Sequence, residues 1–201
     1  LGISNADGIA SRPSPYNFSC FDTQGMQYDL AGGAGFTIDL ALYIPADWSN
    51  PALGNRTASA WGVLPIIGMP CCTPSSYGYS IAGFTNYDGA ARYRVWDNNT
   101  GWVDLATPVV YDQWTHLRIL FTGSAIEYSV NGALVYTDSE PSTFSGVSAM
   151  LLMGYNFDDP GLSGAVANDY TTYWAVAPEP GSMGLLGAGL GLLVMWQRRR
   201  R

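Results

Sequence analysis

Residues 114–137, WTHLRILFTGSAIEYSVNGALVYT, constrain the fold more than any other stretch of this 201-residue chain. Leu117, Ile119 and Phe121 recur at every second position, so they share one face of an extended strand. Asn131-Gly132 then separates two further alternating runs. That dipeptide accepts positive φ at both positions and suits the two-residue type I′ turn, whose twist matches that of the strands it joins. The register this predicts pairs Val130 with Ala133, Tyr128 with Val135 and Ile126 with Thr137, with the cross-strand contacts on one face.

The rest of the chain repeats the theme at shorter range. Phe36, Ile38, Leu40, Leu42 and Ile44 alternate with Thr37, Asp39, Ala41 and Tyr43, and Pro45 ends the run. Ser80–Thr85 and Ala91–Trp96 read as short strands around an Asp88-Gly89 turn. Val147–Gly154 and Tyr170–Val176 supply two more. Residues 45–59 (PADWSNPALGNRTAS) read as turn-rich, and Trp61–Pro74 as a proline-punctuated stretch. No long apolar stripe at helical period occurs before residue 178. Many short strands at close spacing predict an all-β, antiparallel sandwich. The expected organisation is a flexible arm over 1–15, a sandwich over 16–177 and a distinct tail over 178–201.

Charge narrows the function classes. The chain has no lysine, and four of its nine arginines are its last four residues. The remaining five basic residues face sixteen acids, a balance of −11 for everything before those four arginines. Such a body lacks the clustered cations that neutralise phosphates and repels anionic lipid, so binding to nucleic acid is excluded. Few charges and many Gly, Ser, Thr, Asn and Tyr residues suit an exported β-protein. No basic segment followed by an apolar one opens the chain at Leu1, so no leader is visible. Export requires one, and the expectation is that it was removed or precedes this piece.

The tail is built in three parts. Pro178, Glu179 and Pro180 come first, then an uncharged stretch from Gly181 to Gln197, then Arg198, Arg199, Arg200 and Arg201. As a helix the middle part is roughly 25 Å long, short for a hydrocarbon core of about 30 Å. The arginines stay on the cytoplasmic side, which leaves the body across the membrane. The two prolines keep the junction extended and open to a protease. This arrangement resembles the PEP-CTERM sorting signal of Gram-negative bacteria. The resemblance implies a C-terminal transmembrane helix that anchors a precursor in the inner membrane. It also implies cleavage by an exosortase as partner, and delivery to the cell surface or an extracellular, biofilm-type matrix.

The body resembles a concanavalin A-like or laminin G-like jelly roll. The residues that carry the likeness are the Phe36–Ile44 strand, the Trp114-Thr115-His116 strand start and the Ser129-Val130-Asn131-Gly132 hairpin. Some sandwiches of this kind hydrolyse polysaccharides, which takes two carboxylates about 5–9 Å apart. The only glutamates of the body are Glu127 and Glu140, and the E-x-D-x-E pattern of family 16-like hydrolases is absent. His116, the one histidine, shares a strand face with Trp114 and Arg118 and reads as a sheet-surface or partly buried residue near a strand start. No nucleophile, Walker or dinucleotide motif occurs. The expectation is a non-enzymatic, lectin-like module with no catalytic residue, binding extracellular polysaccharide. A hydrolase or lyase on the same sandwich, or a purely structural or adhesive protein, are the alternatives.

Trp61, Trp96, Trp102 and Tyr111 are the candidate sugar-binding aromatics, because flat rings stack on sugar faces and these flank loops. Asp97, Asn99 and Asp104 form an oxygen-rich loop region that suits calcium, although Asp and Asn are also ordinary turn residues. Asp158, Asp159 and Asp169 form a second acidic region. Cys20 is placed to pair with either Cys71 or Cys72, closing a loop of about 50 residues worth ~4 kcal/mol in the chain-entropy view. Export permits such a bridge.

Overall fold

The computed structural model describes residues 1–4, 23–68, 77–139, 143–155 and 170–176. Twelve strands run through them: β1 Gly2–Ser4, β2 Thr23–Gly32, β3 Phe36–Ile44, β4 Thr57–Pro65, β5 Tyr77–Thr85, β6 Arg92–Asp97, β7 Gly101–Asp104, β8 Gln113–Phe121, β9 Ile126–Val130, β10 Ala133–Asp138, β11 Val147–Tyr155 and β12 Thr171–Val176. They form two six-stranded sheets. The first has the order β1-β12-β3-β8-β9-β10 and the second β2-β11-β4-β5-β6-β7. All pairings are antiparallel, as the alternation predicts.

The alternating residues of β3 and β8 do what their period dictates. Ile38, Leu40, Leu42 and Ile44 from one strand, with Leu117, Ile119 and Phe121 from the other, enter one core with Leu64, Phe84, Tyr93, Val95, Tyr128 and Trp174. Each fully buried aliphatic side chain contributes about 1.5–3 kcal/mol relative to exposure. Buried hydroxyls are paired within this core: Tyr93 and Thr115 share a hydrogen bond of 2.8 Å between the sheets. Trp48, expected in a loop, is only 2% exposed. It lies in a short 3₁₀ turn over Ala46–Ser49 and packs on Phe84 and Tyr170 at centroid distances of 5.4 Å.

Three expectations need correction. The frayed arm is a strand at its start, because Gly2, Ile3 and Ser4 pair with Tyr173, Thr172 and Thr171. The turn-rich reading of 45–59 ends too late, since β4 already begins at Thr57. The hairpin register holds at Val130–Ala133 but then shifts between Leu134 and Tyr136, so that Tyr128 faces Tyr136 and Ile126 faces Asp138. Val135 is the extra residue of a β-bulge, which bends the strand and re-aims the side chains beyond it. The turn itself is as expected, with φ of 50° at Asn131 and 82° at Gly132.

Candidate functional site

The second sheet turns its outer face to a groove. Strand alternation puts Thr57, Ser59 and Trp61 of β4 on that face, with Met153 and Tyr155 of β11 on one side. On the other side come Gly83 of β5, Arg94 and Trp96 of β6, and Trp102 of β7. One line of register partners crosses five strands: Met153 opposite Ser59, Ser59 opposite Gly83, Gly83 opposite Arg94, and Arg94 opposite Asp104. Gly83 is the low point of that line. A methyl group there would drive into the Ala58 carbonyl and come within 2.7 Å of the Ser59 Cα.

The resulting cavity has a volume of about 250 Å³, just under the roughly 300–1,000 Å³ typical of ligand pockets. Thr57, Ser59 and Trp61 line it from β4, Arg94 and Trp102 from β6 and β7, and Met153, Gly154 and Tyr155 from β11. Trp61 and Trp102 stand three strand spacings apart, roughly 14 Å. None of the lining residues is acidic.

Each wall is held from the side. Trp61 meets Tyr79 edge-on at 5.5 Å, and its indole N–H donates to the Ser59 hydroxyl oxygen at 2.7 Å. Trp102 meets Trp96 edge-on at 5.2 Å and lies under the Arg94 guanidinium, whose carbon is 3.8 Å from the ring centroid. Tyr170 fixes the far end. Its hydroxyl accepts from the Thr57 and Tyr155 N–H groups at 3.0 Å and has the carbonyl oxygens of both residues at 2.7 Å, to donate to. One side chain just ahead of β12 thus ties β4 to β11 below the groove. The Arg56 guanidinium covers the Tyr170 ring at 4.9 Å.

The arginines differ sharply in their partners. Arg56 donates to the Leu53 and Asn55 carbonyls at 2.9 and 3.1 Å. Arg92 donates to the Tyr87 and Ala90 carbonyls and forms an ion pair with Asp104 at 2.8 Å. Arg94 has no hydrogen-bond or ion-pair partner among the described residues. Burial lowers its pKa to about 10, helped by the charge of Arg92 and opposed by Asp104.

Of the four aromatics singled out in the sequence, Trp61 and Trp102 line the groove and Trp96 supports it from the side. Tyr111 does not join them. It packs against the core, where burial and then the neighbouring Tyr93 raise its phenol pKa. Arg94, Ser59, Thr57, Met153 and Tyr155 were not anticipated.

The oxygen-rich loop serves another purpose. Asp97 Oδ1 accepts the Asn99 and Thr100 N–H groups at 2.9 and 2.7 Å, and Oδ2 accepts the Tyr136 hydroxyl at 2.7 Å. Asn98 bonds both main-chain polar groups of Tyr79 and donates twice to Asp138. Asp104 lies at the other end of β7, against Arg92. Asp97, Asn99 and Asp104 therefore do not converge, and no cluster of three or more His, Cys, Asp or Glu residues occurs among the described residues. His116 lies on the outer face of the first sheet, 3.6 Å from the Asp39 carboxylate and away from the groove. Cys20, Cys71, Cys72, Glu140, Asp158, Asp159 and Asp169 lie outside the described residues, as does the tail from 177 onward. No described helix is long and apolar enough to cross a membrane.

Comparison with known proteins bears on both halves of the chain. Residues 176–201 carry the PEP-CTERM protein-sorting motif. The motif indicates an exported protein that is anchored in the membrane before an exosortase cleaves it. Among solved structures, a Crh5 transglycosylase in complex with NAG is similar at 13% identity and a TM-score of 0.51, over 86% of this chain and 69% of that one. A carbohydrate-binding module, CBM66 from Bacillus subtilis, is similar at 17% identity and a TM-score of 0.39, over 66% and 77%. A family 16 endo-glucanase from Bacteroides ovatus is similar at 9% and 0.49, over 75% and 72%. At such identities the likeness is one of fold, an all-β antiparallel sandwich of two sheets. No curated protein sequence matches the chain.

Proposed function

We propose that the sandwich is a non-enzymatic polysaccharide-binding module that exosortase processing delivers to the cell surface or the extracellular matrix. The observation that carries this reading is the groove on the second sheet. It pairs two aromatic walls with inward hydroxyl and guanidinium donors, the mixture of apolar faces and few placed polar groups that ligand sites use. Its size suits one or two sugar units of a longer chain. The transglycosylase bound to NAG has the same sandwich architecture, which adds a precedent of fold and no more.

Binding is favoured over hydrolysis by the lining. Glycoside cleavage requires an acid and a second carboxylate across the scissile bond; none of the residues that line the groove is acidic, and Asp104 at the end of its line of register partners is paired with Arg92. Asp97 and Asp138 both hydrogen-bond the loop after β6, where they fasten it to β10. Calcium is a separable question, since the acidic segment that includes Asp158, Asp159 and Asp169 belongs to the same body.

The test is binding of the full chain, solubilised in detergent, to a panel of bacterial polysaccharides with calcium and with chelator. Saturable binding that Trp102→Ala abolishes supports the reading. Binding lost only in chelator moves the site to the acidic loops. An absence of binding in both conditions leaves a structural or adhesive protein as the better account.

A further inference from the structure

We propose that the groove selects an acidic sugar and that Arg94 makes the contact to its carboxylate or sulfate group. The proposal rests on the polysaccharide-binding reading above and adds the class of ligand.

The argument begins with donors that lack acceptors. Stacking on Trp102 occupies the face of the Arg94 guanidinium, but its N–H donors lie in the plane of the group and point outward from its edge. No oxygen among the described residues accepts from them. The acid directly across the ladder, Asp104, is Arg94's register partner, yet its carboxylate binds the Arg92 Nε at 2.8 Å. Ser59 adds a second donor. Its oxygen already accepts the Trp61 indole N–H at 2.7 Å, and its own proton has no acceptor among the described residues. Ser59 is only 6% exposed, so its hydroxyl has little access to solvent.

A half-buried cation whose nearest acid, Asp104, is already paired with Arg92 is costly to hold. A ligand that brings the missing oxygens removes that cost. A neutral sugar offers hydroxyls and leaves the charge uncompensated. A carboxylate or sulfate ester offers acceptors alone, in a geometry a guanidinium binds with two parallel hydrogen bonds. The lining, which contains no acid to repel such a group, fits the same ligand.

The negative body sets the character of the interaction. With a balance of −11 outside the terminal arginines, long-range attraction of a polyanion is absent, and repulsion beyond about 8 Å is screened at physiological salt. Recognition is therefore local. Added salt leaves the affinity flat or raises it, the reverse of binding by a basic patch.

Polygalacturonate, dextran sulfate and neutral dextran, each titrated against the full chain in detergent, test the proposal. The first two separate a carboxylate from a sulfate source. The expected result is binding of at least one acidic polymer, no comparable binding of dextran, and a loss of about tenfold or more in Arg94→Gln. Arg94→Lys retains part of the affinity, and Arg118→Gln on the opposite face retains all of it. Should Arg94→Gln fail to fold, competition on the wild-type chain decides: free galacturonate displaces the bound polymer and free galactose does not. Equal or better binding of dextran overturns the proposal and leaves the polysaccharide-binding reading standing, as does acidic binding that a folded Arg94→Gln preserves. A chain that binds none of the three, and no other polysaccharide, overturns both.

Discussion

Trp102 and Trp174 show how one residue type serves two ends. Trp174 is 1% exposed, in the core between the sheets, and its indole N–H is satisfied by the Thr172 hydroxyl at 3.1 Å. Trp102 is 39% exposed and carries Arg94 on its face. Trp174→Ala is therefore expected to cost about 3–5 kcal/mol of stability, whereas Trp102→Ala costs under about 1 kcal/mol and removes glycan binding. Thermal melts read alongside binding isotherms check the contrast, and a large stability loss in Trp102→Ala would sink the assignment of Trp102 to the groove. Asp97 gives a pH prediction. Burial alone would raise its pKa, but hydrogen bonds from the Tyr136 hydroxyl and from Thr100 and Asn99 outweigh it and leave the pKa lowered. A depressed folded-state pKa means the contribution is complete above the unfolded value of about 4 and fades as pH falls through the folded value. Urea denaturation should show stability dropping below about pH 4, with a shallower drop in Asp97→Asn. The two aromatic walls of the site were legible because tryptophans beside loops are conspicuous in sequence. Arg94 and Ser59 were not, because 35 positions separate them and only the register through Gly83 makes them neighbours.

The hairpin is the element on which most of the fold reading rests, and its turn is doubly fastened. The Asn131 N–H donates to the His116 carbonyl at 2.8 Å, and the Asn131 side-chain oxygen accepts the His116 N–H at 2.9 Å. The turn therefore positions β8 as well as β9 and β10. Gly132 holds φ at 82°, a region that costs a residue with a Cβ roughly 1–2 kcal/mol. Gly132→Val should lose at least that amount and speed amide exchange in β9 and β10 before the second sheet responds. Uniform exchange across both sheets would show instead that the hairpin has no local stability of its own. Legibility followed burial. β3 and β8 have one wet face and one dry face, so their alternation is plain. In β4, Thr57, Ala58, Ser59 and Ala60 are all buried, since the outer face lies beneath the groove, and a strand dry on both sides shows no period of two. β2 fails in the opposite way: Met26 and Tyr28 are 42% and 38% exposed, and its glycines and polar residues carry no pattern. The bulge at Val135 leaves no sequence mark. It is fixed by tertiary contacts, because the shifted register is what brings the Tyr136 hydroxyl to Asp97 and buries Asp138.

At the scale of the molecule, the folded body and the sorting signal meet within two residues, since β12 ends at Val176 and the motif begins at Pro178. A cut so close to the last strand would unravel a sandwich whose final strand lay free at an edge. Here β12 is an inner strand. Tyr173 pairs with Gly2 on one side and with Tyr43 on the other, and Trp174 is bonded through its N–H to the Leu1 carbonyl at 2.8 Å. Pulling β12 out would break both ladders and lift Trp174 from the core. Processing at the motif is therefore expected to leave stability unchanged, and the cleaved protein to melt at the temperature of the intact chain. Replacing Pro178, Glu179 and Pro180 together with alanine should keep the chain in the membrane fraction of cells that contain the exosortase, with the body still folded and still able to bind glycan. The body's excess of acids favours solubility once it is free. If the alanine variant is released as efficiently as the wild type, cleavage lies elsewhere and the motif is not the processing site. If cleavage lowers the melting temperature, residues beyond 177 contribute to the sandwich, and the boundary between body and signal must move toward the C-terminus.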